Sequence, residues 1–282
     1  MIAILGGLGA ALAWGTGALC SARSSRIIGA TSVVAWVMLI GLVANLAVIA
    51  VGPPPGSLGA SDIAWMLMSG VGNVSGLLLE YAALRRGKVG LVTPVTSTEG
   101  VIAALLAVMA GEALGVASAG LLAIVALGVV LAGMAPDESA PGQRKSAAFW
   151  LAALAALSFG IGIFATGHLS ASLPVGWVVL PPRLVGVVAV TIPLAMTRRL
   201  RLARSAIPLV VATGLAEVLG FVCYAVGARD SVAIAAVLGS QFAAVASVAA
   251  YVLFRERLTR LQLAGAVSIV VGVAALTAVT VG

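Results

Sequence analysis

Pro136-Asp137-Glu138-Ser139-Ala140-Pro141-Gly142-Gln143-Arg144-Lys145 is the longest hydrophilic stretch of the chain, and it lies almost at the centre of 282 residues. On either side the sequence is strongly apolar. Hydrophobic residues make up 62% of the whole and charged residues only 9%. A soluble domain of this size with so little charge does not stay soluble. The apolar residues fall into runs of about 20, the length that crosses a hydrocarbon core of about 30 Å. Backbone groups in lipid must be satisfied internally, which leaves helices or a closed barrel. Barrel strands alternate apolar and polar residues, whereas these runs are apolar all round. The reading is therefore an all-α membrane protein.

Working outward from the central stretch, ten spans are expected. They lie at 2–21, 32–51, 62–84, 89–109 and 115–134 before it, and at 148–169, 174–197, 206–228, 232–253 and 261–281 after it. Turn or charge chemistry separates them, as in Pro53-Pro54-Pro55-Gly56 and Arg85-Arg86-Gly87-Lys88. The expected division is a five-helix repeat over 1–135, a hydrophilic connection over 136–146 and a second five-helix repeat over 147–282. An odd number of spans in each half places the two halves in opposite orientations, the inverted-repeat plan of many secondary transporters. Residues 1–20 have no basic leader and read as the first span rather than a cleaved signal.

The halves also match one another. At an offset of 144, Gly76 falls on Gly220, Arg85 on Arg229, Glu112 on Glu256 and Gly128-Val129 on Gly272-Val273; one residue further, Trp14-Gly15 falls on Phe159-Gly160. Of 16 Lys and Arg, Arg183 is inside a span and Arg229 follows an even-numbered one. All others follow odd-numbered spans: Arg23, Arg26, Arg85, Arg86, Lys88, Arg144, Lys145, Arg198, Arg199, Arg201, Arg204, Arg255, Arg257 and Arg260. Basic loops stay cytoplasmic, so both termini are expected outside. The net charge of +7 then reports topology and contact with anionic lipid, not nucleic-acid binding.

Ionisable groups inside a membrane are costly and mark function by default. Glu99 is expected in the middle of span four, Glu217 in the middle of span eight, Arg183 inside span seven, and Glu80 near the cytoplasmic end of span three. Asn73 is the repeat-mate of Glu217. Glu99 and Glu217 can bind an amine or exchange a proton; Arg183 can pair with one of them or take a substrate carboxylate. Glu80 is a further proton-coupling candidate, or it reaches Arg85, Arg86 or interfacial water. Thr96 shares a helix face with Glu99, and its repeat-mate Ser240 adjoins Gln241. Trp14 and Tyr81 can stack on a flat or cationic substrate or simply pack. His168 reads as an exposed interfacial residue, and Glu112 and Glu256 as capping or pairing groups at turns. Cys20 and Cys223 sit inside apolar runs and fit no metal or disulfide pattern. Neither a GxSxG nor an HExxH motif occurs, no paired aspartates and no Cys–His pair suggest catalysis, and no cofactor or metal is implied.

Several of these features together resemble the drug/metabolite transporter superfamily, in its two-repeat EamA-type branch. They are Ala13-Trp14-Gly15, Leu91-Val92-Thr93-Pro94-Val95, Gly111-Glu112-Ala113-Leu114 and a glycine-rich fifth span ending Ala126-Leu127-Gly128-Val129-Val130-Leu131-Ala132-Gly133. The second half answers with Arg255-Glu256-Arg257-Leu258, Leu263-Ala264-Gly265-Ala266 and Ile269-Val270-Val271-Gly272-Val273. Arg183 resembles an arginine seen early in the second helix of such repeats. Two departures stand: Leu238 replaces the proline that Pro94 represents, and span two has no arginine. The resemblance implies ten helices around a central cavity and a secondary transporter of a small metabolite in the plasma membrane, exporter or exchanger, monomer or homodimer. It also implies cytoplasmic termini, against the charge count. A lipid-linked flippase and a membrane-embedded enzyme are the alternatives.

Overall fold

The computed structural model describes residues 1–84, 86, 92, 95–133, 145–242 and 245, with 264, 267, 268, 271, 272, 275 and 279 near the end. The described residues form α1 (Ile2–Ile28), α2 (Ala30–Val51), α3 (Ala60–Leu84), α4 (Glu99–Met109), α5 (Val116–Gly133) and α6 (Lys145–Ser170). Then come α7 (Val175–Met196), α8 (Ile207–Ala228) and α9 (Val232–Gly239). No strand occurs among the described residues. Helices α1, α2, α3, α6, α7 and α8 are long and apolar enough to cross a membrane. The expected tenth span at 261–281 lies largely outside the described residues, as do Pro94, Glu256 and the connection from 136 to 144.

Three helices differ from the sequence reading. Helix α1 continues to Ile28, carrying Arg23 and Arg26 on its last turns. It then turns into α2 through Gly29 alone, whose φ of 87° suits glycine. The expected fourth span is interrupted: Val95 and Thr96 are helical, Ser97 and Thr98 form a turn, and α4 starts at Glu99. Glu99 therefore opens a helix instead of sitting within one. The ninth span breaks likewise, with a turn at Ser240 and Gln241 after α9, before helical Phe242. At each break side chains compete for backbone carbonyls. Thr98 Oγ1 donates to Val95 O at 2.7 Å, and Ser240 Oγ and Gln241 Nε2 both donate to Val237 O at 2.8 Å. In α7, Pro181 and Pro182 remove two donors, and the helix passes through a π-helical turn at Val187–Thr191.

Large apolar side chains such as Leu5, Leu12, Val43, Leu67, Leu154 and Leu219 face outward, while buried positions hold many Ala, Gly, Ser and Thr. That distribution suits lipid outside and close helix packing inside. The halves interlock. Helix α1 lies along α8 and α3 along α6; α9 rests on α1, α4 on α6, and α4 meets α9. Glycines permit the closest crossings. A Cβ on Gly6 would stand 2.6 Å from Gly227 Cα, and one on Gly72 would stand 2.7 Å from Gly162 Cα.

Polar contacts sort the loops onto two faces. On one, the Met1 ammonium is 3.5 Å from Asp230, and Glu112 accepts from Ser231 Oγ and from Ala233 N, the latter at 3.3 Å. Arg229 donates to Ser170 O and Leu173 O there, both at 3.0 Å. Glu112 thus caps the start of α9, the architectural role its place at a turn suggests. On the other face, Trp36 Nε1 donates to Arg201 O at 3.0 Å and Arg201 N to Ser32 Oγ at 3.2 Å, joining the α1–α2 turn to the α7–α8 loop.

Candidate substrate cavity

Helix α3 places Asn73, Leu77, Glu80 and Tyr81 on one stripe, at the spacing that repeats a helix face. These residues form one wall of a cavity. Trp14, Gly17, Ala18 and Ser21 of α1 form another; Phe159 and Ile163 come from α6, Glu217 and Phe221 from α8, Glu99 from the first turn of α4, and Phe242 from beyond the α9 break. The empty space among these residues, open solvent at its mouth included, is about 480 Å³.

Three carboxylates share this space, and all are buried: Glu80 is 7% exposed, Glu99 4% and Glu217 9%. Thr96 Oγ1 donates to Glu80 Oε1 at 3.4 Å as well as back to Val92 O at 3.2 Å. From sequence Glu80 is a proton-coupling candidate or a partner of Arg85 or Arg86; Arg86 Nη1 donates to Ala82 O at 3.0 Å, and Arg85 lies outside the described residues. Asn73 Oδ1 and Trp14 Nε1 are buried without a hydrogen-bond partner. Trp14 meets Phe221 edge-on, with ring centroids 5.4 Å apart.

Arg183 is fully buried and stands behind the cavity wall, not in it. Its Nη2 is 3.6 Å from Glu217 Oε2, its Cζ lies 5.0 Å from the centre of the Phe221 ring, and Nη1 points at Met38 Sδ at 3.8 Å. Gly41 leaves room for its stem, since a Cβ there would be 2.9 Å from Arg183 Cδ. Nε and Nη2 make no hydrogen bond. The ion pair is thus a loose contact, well short of a two-pronged fork.

The structure brings Trp14, Asn73, Glu80, Tyr81, Glu99 and Glu217 to one cavity, with Thr96 and Arg183 directly behind. Ser240 and Gln241 are placed elsewhere. They lie where α9 meets α4, and a Cβ on Gly100 would be 2.5 Å from Ser240 Oγ. Phe159, Phe221, Phe242, Leu77, Ile163 and Ser21 were not singled out from sequence. Only Phe159 had a signal, its alignment with Trp14. That alignment is physical: a Cβ on Gly76 would strike the Phe159 ring at 2.5 Å, and one on its repeat-mate Gly220 would strike Trp14. His168 is exposed at the end of α6 and stacks on Trp65 at 4.3 Å.

Against known proteins, a model of the EamA-like transporter family matches residues 1–134 and again 146–278. The chain belongs to the EamA-like transporter family. It is a membrane protein of a family of small-substrate transporters, not enzymes. No curated protein sequence matches this EamA-like chain. A solved structure described only as "Crystal structure of protein" is 19% identical, with a TM-score of 0.77 over 98% of this chain and 96% of that one. At that identity the likeness is one of fold.

Proposed function

We propose that this EamA-like protein is a secondary transporter that moves a small amine-bearing metabolite across the plasma membrane, as an exporter or exchanger, in exchange for protons. The observation that carries the reading is the charge of the cavity. Glu80, Glu99 and Glu217 line it, and the one described cation nearby, Arg183, is turned to Glu217 from behind. A buried charge without a partner is costly, so the remaining carboxylates call for protons or a cationic substrate. The two compete, and that competition couples proton flow to transport.

Among the described residues, the titratable groups facing the cavity are Glu80 and Tyr81 from α3, Glu99 from α4 and Glu217 from α8 with Arg183 of α7 behind it; the lining residues of α1, α6 and Phe242 add none. We read the architecture as ten helices in two inverted five-helix repeats. The interlocked pairs α1–α8 and α3–α6, and the matching breaks at Ser97–Thr98 and Ser240–Gln241, support that reading. Alternating access then rocks the repeats about a cavity that stays between them.

The test is flux into proteoliposomes, with amino acids, polyamines, nucleosides and quaternary amines as tracers, with and without a pH gradient. For the tracer that moves, a proton gradient directed opposite to the substrate accelerates flux. Glu80→Gln and Glu99→Gln, which change charge at nearly constant shape, each lower flux about tenfold or more. Full flux with an unchanged pH profile in both variants sinks the mechanism.

A further inference from the structure

The count of charges and acceptors around the cavity specifies more than an amine. Glu217 has Arg183 beside it, but among the described residues no cation lies within ion-pair distance of Glu80 or Glu99. Two carboxylates therefore face the space with no described cation to balance them. A second, independent observation points the same way: Asn73 Oδ1, on a side chain 5% exposed, lines the cavity and accepts nothing. The described lining thus offers carboxylates and one unused acceptor beside the unused donor Trp14 Nε1, and it carries no positive charge.

Position sets the shape of what fits. Thr96, whose hydroxyl reaches Glu80, lies across the turn at Ser97–Thr98 from Glu99, so Glu80 and Glu99 enter the cavity from different elements. Asn73 lies two turns from Glu80 on the same face of α3, about 10 Å along its axis. Leu77 occupies the stripe between them, with Phe159 and Ile163 also in the wall. Polar groups at separated heights with an apolar band between them suit an elongated ligand with a charge at each end.

We propose that the cavity takes a linear dication, a short alkane chain with an ammonium at each end, one held by Glu80 and the other by Glu99 and Asn73. Arg183 keeps Glu217 out of that count. The proposal rests on the reading of the cavity as a transport site for an organic cation. It predicts that a monoamine of the same length leaves one carboxylate uncompensated and binds poorly.

The experiment uses the full chain in proteoliposomes at neutral pH, with labelled 1,5-diaminopentane, pentylamine and tetraethylammonium as probes. Expected are saturable flux of the diamine and an apparent affinity for pentylamine lower by about tenfold or more, the worth of one charged hydrogen-bonded contact. Glu80→Gln should abolish that preference, weakening the diamine about tenfold so that its apparent affinity falls to that of pentylamine. Should Glu80→Gln not purify as a folded protein, Asn73→Asp serves instead, and its added carboxylate should tighten diamine binding several-fold. Flux of pentylamine or tetraethylammonium equal to or above that of the diamine overturns the dication and leaves the cation reading standing. Absence of flux for all three overturns both.

Discussion

Arg183 brings five N–H donors to a site where it meets one carboxylate oxygen, one thioether and one aromatic face. Removing one partner of a buried pair leaves the other charge unpaired, which typically costs about 3–5 kcal/mol. Arg183→Met should therefore lower the thermal midpoint strongly in detergent. Arg183→Met combined with Glu217→Gln should recover most of the loss, because the neutral pair needs no compensation. A double variant as unstable as the single one would show that the guanidinium acts through packing on Phe221 and Met38 instead. The four ionisable residues were legible from sequence because a membrane makes each of them conspicuous. Their partners were not: only the fold shows that Glu80 faces the cavity, or that Ser240 and Gln241 turn to a backbone carbonyl. The aromatic walls were illegible for a different reason. A phenylalanine in an apolar span reads alike whether it faces lipid, a neighbouring helix or a cavity.

Among the elements, glycine placement decides how closely the halves approach. Gly72 lies against Gly162 where α3 crosses α6, whereas Gly120 on α5 has open space around it. Gly72→Leu forces the crossing helices apart and should destabilise the protein by about 1–3 kcal/mol, the usual cost of overpacking. Gly120→Leu is the matched control and should leave the melting curve unchanged. Equal effects at both sites would mean that helix propensity, not the crossing, governs the response. The start of α9 offers a second test. Ser231 caps it, with its Oγ accepting from Ile234 N at 3.1 Å, and Glu112 reaches over from the end of α4 to the same turn. Glu112→Ala should cost about 0.5–2 kcal/mol, as lost caps do, and show as a lower thermal midpoint. Most span positions could be read from apolar run length. The breaks at Ser97–Thr98 and Ser240–Gln241 could not, because hydroxyls and amides that bond back to carbonyls are also common in unbroken membrane helices.

At the scale of the molecule, orientation turns on which face the basic residues occupy. The α1–α2 turn and the α7–α8 loop meet through Trp36, Ser32 and Arg201, so Arg23, Arg26, Arg198, Arg199, Arg201 and Arg204 belong to one side. Met1, Glu112, Asp230 and Ser231 gather at the other. Arg229 is the exception to the charge bias, and it has a structural occupation: both of its hydrogen bonds go to carbonyls at the end of α6 and the turn after it. A basic residue held by backbone in this way is a weak topological signal, which leaves the bias of the remaining loops intact. Helix α2 ends on the Met1 side, since Asn45 Nδ2 donates to Gly176 O at 2.9 Å at the start of α7. Ser57, in the loop that follows, shares that side. With Cys20 and Cys223 replaced, single cysteines at Ser57 and at Arg198 thus sample opposite faces. Positive loops held in the cytoplasm make Ser57→Cys reactive to an impermeant maleimide in intact cells, and Arg198→Cys reactive only after permeabilisation. The opposite pattern would put both termini in the cytoplasm, as the family resemblance implies. It would leave the cavity and its carboxylates where they are and reverse only the side from which each proton and substrate arrives.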